Sequence, residues 1–230
     1  MFNEMVSRGR LASVLAEFLG TAMLVMVAIV LTETTAVSYF IGTSVAATLA
    51  VGYIIFSGIS GAHFNPAITF GMWAARRMRS MTAVVYIVAQ LLGGLAAWQL
   101  FQYFTDHKLT SHSVTFSFSL FLAEAVGTFI LSLGFAAAAS RAGNALESGL
   151  TYGIALFVGI LIASTAAGGY LNPAVALGLR SFDWVYILGP LAGGLVGINL
   201  YTYLFAPDSA ASSRKLAARA SVVVKRSSKR

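Results

Sequence analysis

The chain has 230 residues, of which 58% are hydrophobic and only 10% charged. Soluble domains carry about 25% charge, so the balance excludes an ordinary water-soluble globular domain and makes lipid the expected solvent. The net charge of +7 does not point to nucleic acid, because no aromatic residues interleave with the basic ones, and with no cysteine a disulfide or thiolate metal site is excluded.

In chain order, residues 1–10 read as a short cytoplasmic N-terminus carrying Arg8 and Arg10. Six apolar stretches follow: Leu11–Leu31, Ile41–Ile59, Met81–Phe104, Phe118–Ala139, Leu146–Ala166 and Trp184–Phe205. Each is long enough for a hydrocarbon core of about 30 Å, which takes roughly 20 helical residues. Helices are expected because lipid cannot satisfy exposed backbone polar groups. The first stretch is not read as a signal peptide: it is too long, holds Glu17 and lacks a small-x-small cleavage site. Residues 206–230 read as a disordered basic tail, with seven Lys and Arg from Arg214 to Arg230. That tail either touches anionic lipid headgroups or is simply solvated.

Charge sets the expected orientation. Arg8, Arg10, Arg76, Arg77, Arg79, Arg141 and the seven tail residues fall on one side of a six-helix arrangement, thirteen of fifteen basic residues. Only Lys108 and Arg180 fall on the other. An excess of Lys and Arg marks the cytoplasmic side. Both termini are therefore expected in the cytoplasm, in a multi-pass protein of the cell membrane.

The chain is internally repeated. Asn65-Pro66-Ala67 recurs as Asn172-Pro173-Ala174, and Ala16-Glu17-x-x-Gly20-Thr21 recurs as Ala123-Glu124-x-x-Gly127-Thr128, both 107 positions later. Tyr86, Gly93, Gly94 and Leu95 match Tyr186, Gly193, Gly194 and Leu195 at an offset of 100. Residues 11–104 and 118–205 thus form two repeats of three spans each. An odd span number inverts the second repeat in the membrane. Matched glycines are expected to let helix backbones approach closely, since lipid gives little hydrophobic gain from helix association.

Each Asn-Pro-Ala is expected to start a helix, because Asn is a good N-cap and Pro suits the first helical position. The runs Pro66–Ala75 and Pro173–Leu179 are too short to span and read as half-helices starting near the midplane. The segments before them, Gly61-Ala62-His63-Phe64 and Gly168-Gly169-Tyr170-Leu171, must then be irregular at membrane depth. Such backbone is tolerated only when buried in protein or lining a watery cavity. Its carbonyls are expected to form an acceptor ladder along a pore, with the Asn65 and Asn172 amides donating to a passing oxygen. Two helix N-termini of roughly +0.5 charge each repel a cation at about 5 Å by roughly 3 kcal/mol at an effective dielectric near 20.

Two such motifs at matched spacing in a six-helix duplicated frame resemble the aquaporin and aquaglyceroporin (major intrinsic protein) family, over nearly all of Leu11 to Phe205. The resemblance implies an all-α fold of six transmembrane helices and two re-entrant half-helices. It also implies a passive channel in each subunit, a homotetramer, and no cofactor, metal or enzyme activity. Counting from the two Asn as in the family gives a selectivity filter of Val45, Ile160, Gly169 and Val175. Most family members carry Arg where this chain has Val175, and water-selective members add an aromatic ring and His. Losing Arg removes a donor fork and a full charge, so the opening is expected to be wider and more apolar. Arg180 resembles a basic residue of glycerol-conducting members, yet Ala176 replaces their Asp and their long insertions are missing. The Val-for-Arg change is similar to bacterial members associated with arsenic resistance. The expected solutes are water, glycerol-like polyols and metalloid hydroxides such as arsenous acid.

Other readings stay open at this stage. Water-only conduction is the nearest. Glu17 and Glu124, expensive in a membrane, either couple protons in a secondary transporter or accept hydrogen bonds from the irregular loops, and their symmetric placement favours the second. His63 either gates by protonation or is a fixed wall residue.

Overall fold

The structure, a computed structural model, describes residues 7–35, 37–140 and 143–206. Arg141 and the basic tail beyond Ala206 lie outside the described residues. Eight α-helices are described: α1 (Arg8–Thr34), α2 (Ser38–Ser60), α3 (Pro66–Ala74), α4 (Ser80–Thr105), α5 (Phe118–Ser140), α6 (Ala145–Ala163), α7 (Pro173–Gly178) and α8 (Trp184–Leu200). Six spans are long and apolar enough to cross a membrane, formed by α1, α2, α4, α5, α6 and by α8 with its continuation to Phe205. The other two, α3 and α7, are the short helices that begin at the Asn-Pro-Ala motifs.

The few polar residues of the spans face the interior among apolar ones, while large apolar side chains also cover the outside. On α1 the exposed face carries Leu11, Leu15 and Leu19. The buried face carries Ala16, Glu17, Gly20, Thr21, Leu24, Val25 and Ala28. Spacing of three and four keeps each set on one side of the helix. Leucine faces lipid at no cost, whereas a carboxylate such as Glu17 needs protein partners.

Two helix ends differ from the sequence expectation. The fifth span stops at Ala163 instead of Ala166. From Ser164 the chain tightens into turns, with Ala166 N–H and Ala167 N–H both returning to the Ala163 carbonyl. This brings Gly168-Gly169 to the start of the second re-entrant loop, where Gly169 takes φ +67. The sixth span changes at Leu200 from α-helix to a π-helical turn over Tyr201–Phe205. It also carries Pro190 inside the helix, which removes one backbone hydrogen bond.

The two halves pack alike. Helix α1 lies against α4 and α2, as α5 lies against α8 and α6. The short helices cross over: α3 packs on α8 and α7 on α4. The crossing is glycine-dependent. A Cβ on Gly94 would stand 2.6 Å from the Ala174 carbonyl oxygen, and one on Gly71 would stand 2.5 Å from that of Gly194. The neighbouring atoms are backbone and cannot swing aside. Gly94→Ala is therefore expected to destabilise by about 1–3 kcal/mol. Thermal unfolding in detergent checks this against Gly58→Ala, whose added Cβ meets nothing within 4 Å; equal melting of the two variants would refute it.

Candidate functional site

Two re-entrant loops meet between the halves of the molecule. Each is built by the same three devices. The first is the cap: the Asn65 and Asn172 side-chain oxygens accept from Ala67 N–H at 2.8 Å and Ala174 N–H at 2.9 Å. That is what starts α3 and α7.

The second device is a buried carboxylate behind each loop. Glu17 accepts from the backbone N–H of His63 at 3.0 Å and of Phe64 at 2.7 Å, from Ser60 Oγ at 2.6 Å and from Gln90 Nε2 at 2.8 Å. Glu124 accepts from Tyr170 N–H at 3.0 Å and Leu171 N–H at 2.8 Å. Both carboxylates are fully buried. Loop N–H groups bond both carboxylates, and Gln90 on α4 adds a further donor to Glu17. Gln90 was not singled out from the sequence. Its signal was a lone amide in an apolar span, and its counterpart at the offset of 100 is Pro190, so the second half lacks this donor.

The third device is backbone strain. Phe64 at φ +50 and Leu171 at φ +53 both sit in the left-handed region, each immediately before its Asn. Left-handed backbone costs such residues of order 1–3 kcal/mol and persists only where surroundings fix it. Here the carboxylates fix it. The turn aims each loop carbonyl at the opposite loop: Asn65 Nδ2 donates to Leu171 O at 2.8 Å, and Asn172 Nδ2 donates to Phe64 O at 2.9 Å.

These bonds correct the expected carbonyl ladder. The Phe64 and Leu171 carbonyls are taken by the opposing amides, and the His63 carbonyl accepts from Tyr152 Oη at 3.0 Å. Buried carbonyls have paired with the nearest protein donors. An amide nitrogen carries two N–H groups, so one on each Asn is committed and one is left. Gly168 and Gly169 are different, since their carbonyls accept no backbone hydrogen bond among the described residues.

A cavity of about 260 Å³ runs past this junction. Its wall includes Asn65, Asn172 and all four residues at the expected filter positions, Val45, Ile160, Gly169 and Val175. His63, Gly168 and Tyr170 also line it. Pro66, Ala67, Pro173 and Ala174 do not; they are buried in the helix crossing. Nor do Gly61, Ala62 and Leu171, which the sequence reading placed on a pore wall. Ala62 and Leu171 are fully buried, turned into the core by their left-handed backbone.

Sequence reasoning missed several wall residues. Leu24, Leu49, Leu131 and Leu156 add apolar groups to the wall, and Thr32, Ser164 and Tyr152 carry hydroxyls. Apolar residues of a span give no signal of which face meets a cavity. His63 is held rather than loose: Nδ1 lies 3.0 Å from Thr69 Oγ1, and its ring meets Phe135 edge-on at 5.1 Å. Away from the cavity, Arg180 stacks over Trp98 at 4.6 Å and donates to Leu109 O at 3.2 Å. His107 pairs with Glu33 at 3.3 Å, while His112 meets Thr110.

The sequence model of the family described as "Major intrinsic protein" matches residues 4–201. Glycerol uptake facilitator protein-like 6 of Lactiplantibacillus plantarum is 34% identical over 155 residues, covering 62% of this chain and 70% of that protein. Aquaporin Z of Photorhabdus laumondii is 45% identical over 60 residues, covering 25% of this chain and 26% of that protein. The chain thus spans most of the first relative but only about a quarter of the second. The aquaglyceroporin of Plasmodium falciparum, known from an X-ray structure, superposes with a TM-score of 0.68 at 21% identity. That match covers 86% of this chain and 98% of the other, and it carries the fold.

Proposed function

Because the chain belongs to the major intrinsic protein family, we propose that it is a passive channel for small uncharged solutes, conducting through an Arg-free and widened filter. The observation that carries this reading is the cavity itself: Val45, Ile160, Gly169 and Val175 share one wall with Asn65 and Asn172. The four filter residues offer no charge and no side-chain donor. A solute therefore meets an apolar opening first and the uncommitted Asn N–H groups at depth.

The chemistry selects neutral, hydroxyl-bearing molecules. The two short-helix N-termini disfavour cations by roughly 3 kcal/mol at about 5 Å. Without Arg, the opening admits solutes larger than water. Glycerol-like polyols fit this description, as does arsenous acid, a neutral trihydroxide of similar size. The glycerol facilitator among the relatives supports the polyol part of this reading. The channel is further proposed to reside in the plasma membrane as a homotetramer, with two inverted repeats over residues 11–104 and 118–205. The excess of basic residues on one side supports cytoplasmic termini.

Light scattering of proteoliposomes under osmotic shock tests the proposal. Fast uptake of glycerol and arsenous acid along with water is expected. Fast water alone would turn the reading to a water-selective channel. Flux that saturates and follows a pH gradient would turn it to a coupled transporter, and no flux at all would reject conduction.

A further inference from the structure

The filter has lost the Arg that would hydrogen-bond solutes, yet the wall beside it is not wholly apolar. Ser164 follows Ala163, the last residue of α6, and lines the same cavity as Ile160 and Gly169. Its backbone N–H is spent on the Ile160 carbonyl at 2.8 Å. Its hydroxyl makes no hydrogen bond to another described residue. Gly169 explains where that hydroxyl sits. A Cβ on Gly169 would stand 2.9 Å from Ser164 Oγ. The hydroxyl thus borders the space that a side chain at the filter position would fill. The adjoining Gly168 and Gly169 carbonyls also lack a backbone donor among the described residues.

Resting on the channel reading above, we infer that Ser164 is a specificity-determining residue, its hydroxyl replacing the missing Arg as the hydrogen-bonding group of the mouth. The replacement changes the chemistry. A guanidinium only donates, whereas a serine hydroxyl donates and accepts. A polyol or metalloid hydroxyl passing Gly169 can donate to Oγ or a glycine carbonyl and accept from the serine O–H. That compensates the water it sheds on entering an apolar opening. Water is small enough to keep its own partners and gains less.

The test uses wild-type, Ser164→Ala and Ser164→Thr protein in proteoliposomes, with glycerol and water permeability read on one preparation. Ser164→Ala is expected to lower the glycerol-to-water ratio about three- to tenfold, the worth of one hydrogen bond, and Ser164→Thr to restore it. An unchanged ratio in Ser164→Ala overturns the inference, and so does a lowered ratio that Thr fails to restore, which assigns the effect to packing at Gly169. Ser164→Cys gives a second readout, since the chain has no other cysteine. A charged methanethiosulfonate is expected to label that thiol in the folded protein and block glycerol. No labelling, or labelling without block, overturns the inference. A wild type that conducts neither solute fails the channel reading and this inference with it. A conducting wild type with an unchanged Ser164→Ala ratio fails the inference alone.

Discussion

Glu17→Leu is expected to yield almost no folded protein. The substitution keeps the size and apolarity that a membrane helix tolerates, so lipid solvation of α1 is not the cause. The cause is four hydrogen bonds lost at once: those from the buried His63 and Phe64 N–H groups, from the half-buried Ser60 Oγ, and from Gln90 Nε2, which keeps only its bond to Thr69 Oγ1. An orphaned buried donor costs about 1–3 kcal/mol, and the total reaches the 5–15 kcal/mol by which native proteins are stable. Phe64 adds to the loss, because its left-handed backbone at φ +50 is no longer held. Its carbonyl then drifts from Asn172, and the crossed Asn bonds fail together.

The same substitution at the matched position removes fewer hydrogen bonds. Glu124 accepts two loop N–H groups, from Tyr170 and Leu171, and has no counterpart of Gln90. Glu124→Leu should therefore be destabilised less than Glu17→Leu. Monodisperse yield and thermal midpoint in detergent would show the order. A Glu17→Leu protein that folds normally and loses only a pH-dependent flux would sink the structural assignment and favour a coupling carboxylate.

What the sequence made legible was whatever repeats or interrupts the apolar pattern. Two Asn-Pro-Ala motifs at a constant offset announced two short helices, and matched Glu residues announced matched roles. Capping chemistry is local, so Asn65 and Asn172 could be assigned from three residues each. The cavity wall was less legible. His63 and Ala62 are neighbours in a loop, yet His63 reaches the cavity and Ala62 is sealed in the core. A left-handed turn decides between them, and nothing in the composition of that loop encodes its hand. The fate of the carbonyls was hidden for a similar reason. Asn65 bonds Leu171, 106 positions away, and a contact at that range follows from the inverted packing rather than from either segment. Ser164 was hidden because a hydroxyl in the last turn of an apolar span reads as part of the spanning helix. Only its proximity to Gly169 gives it a place in the wall.

The largest change in solute selectivity is expected at Val175. It lies on α7, three residues past Asn172, and is 5% exposed with its side chain on the cavity wall beside Ile160 and Gly169. Val175→Arg is expected to cut glycerol permeability about tenfold or more while water falls less. Two effects combine. The longer side chain takes up room in a cavity of only about 260 Å³, which a three-carbon solute feels before water does. The guanidinium also finds acceptors at hand in the Gly168 and Gly169 carbonyls, which lack backbone donors among the described residues. Occupying them removes the groups a polyol would use. Its charge adds a cation barrier of roughly 3 kcal/mol at about 5 Å and an effective dielectric near 20, so any proton or sodium leak should fall as well. The three fluxes separate the causes. A blocked mouth lowers glycerol and water equally, a purely electrostatic effect lowers cations alone, and a filter of the proposed kind lowers glycerol and cations more than water. Unchanged glycerol uptake in Val175→Arg would remove Val175 from the solute path and return the cavity wall to packing.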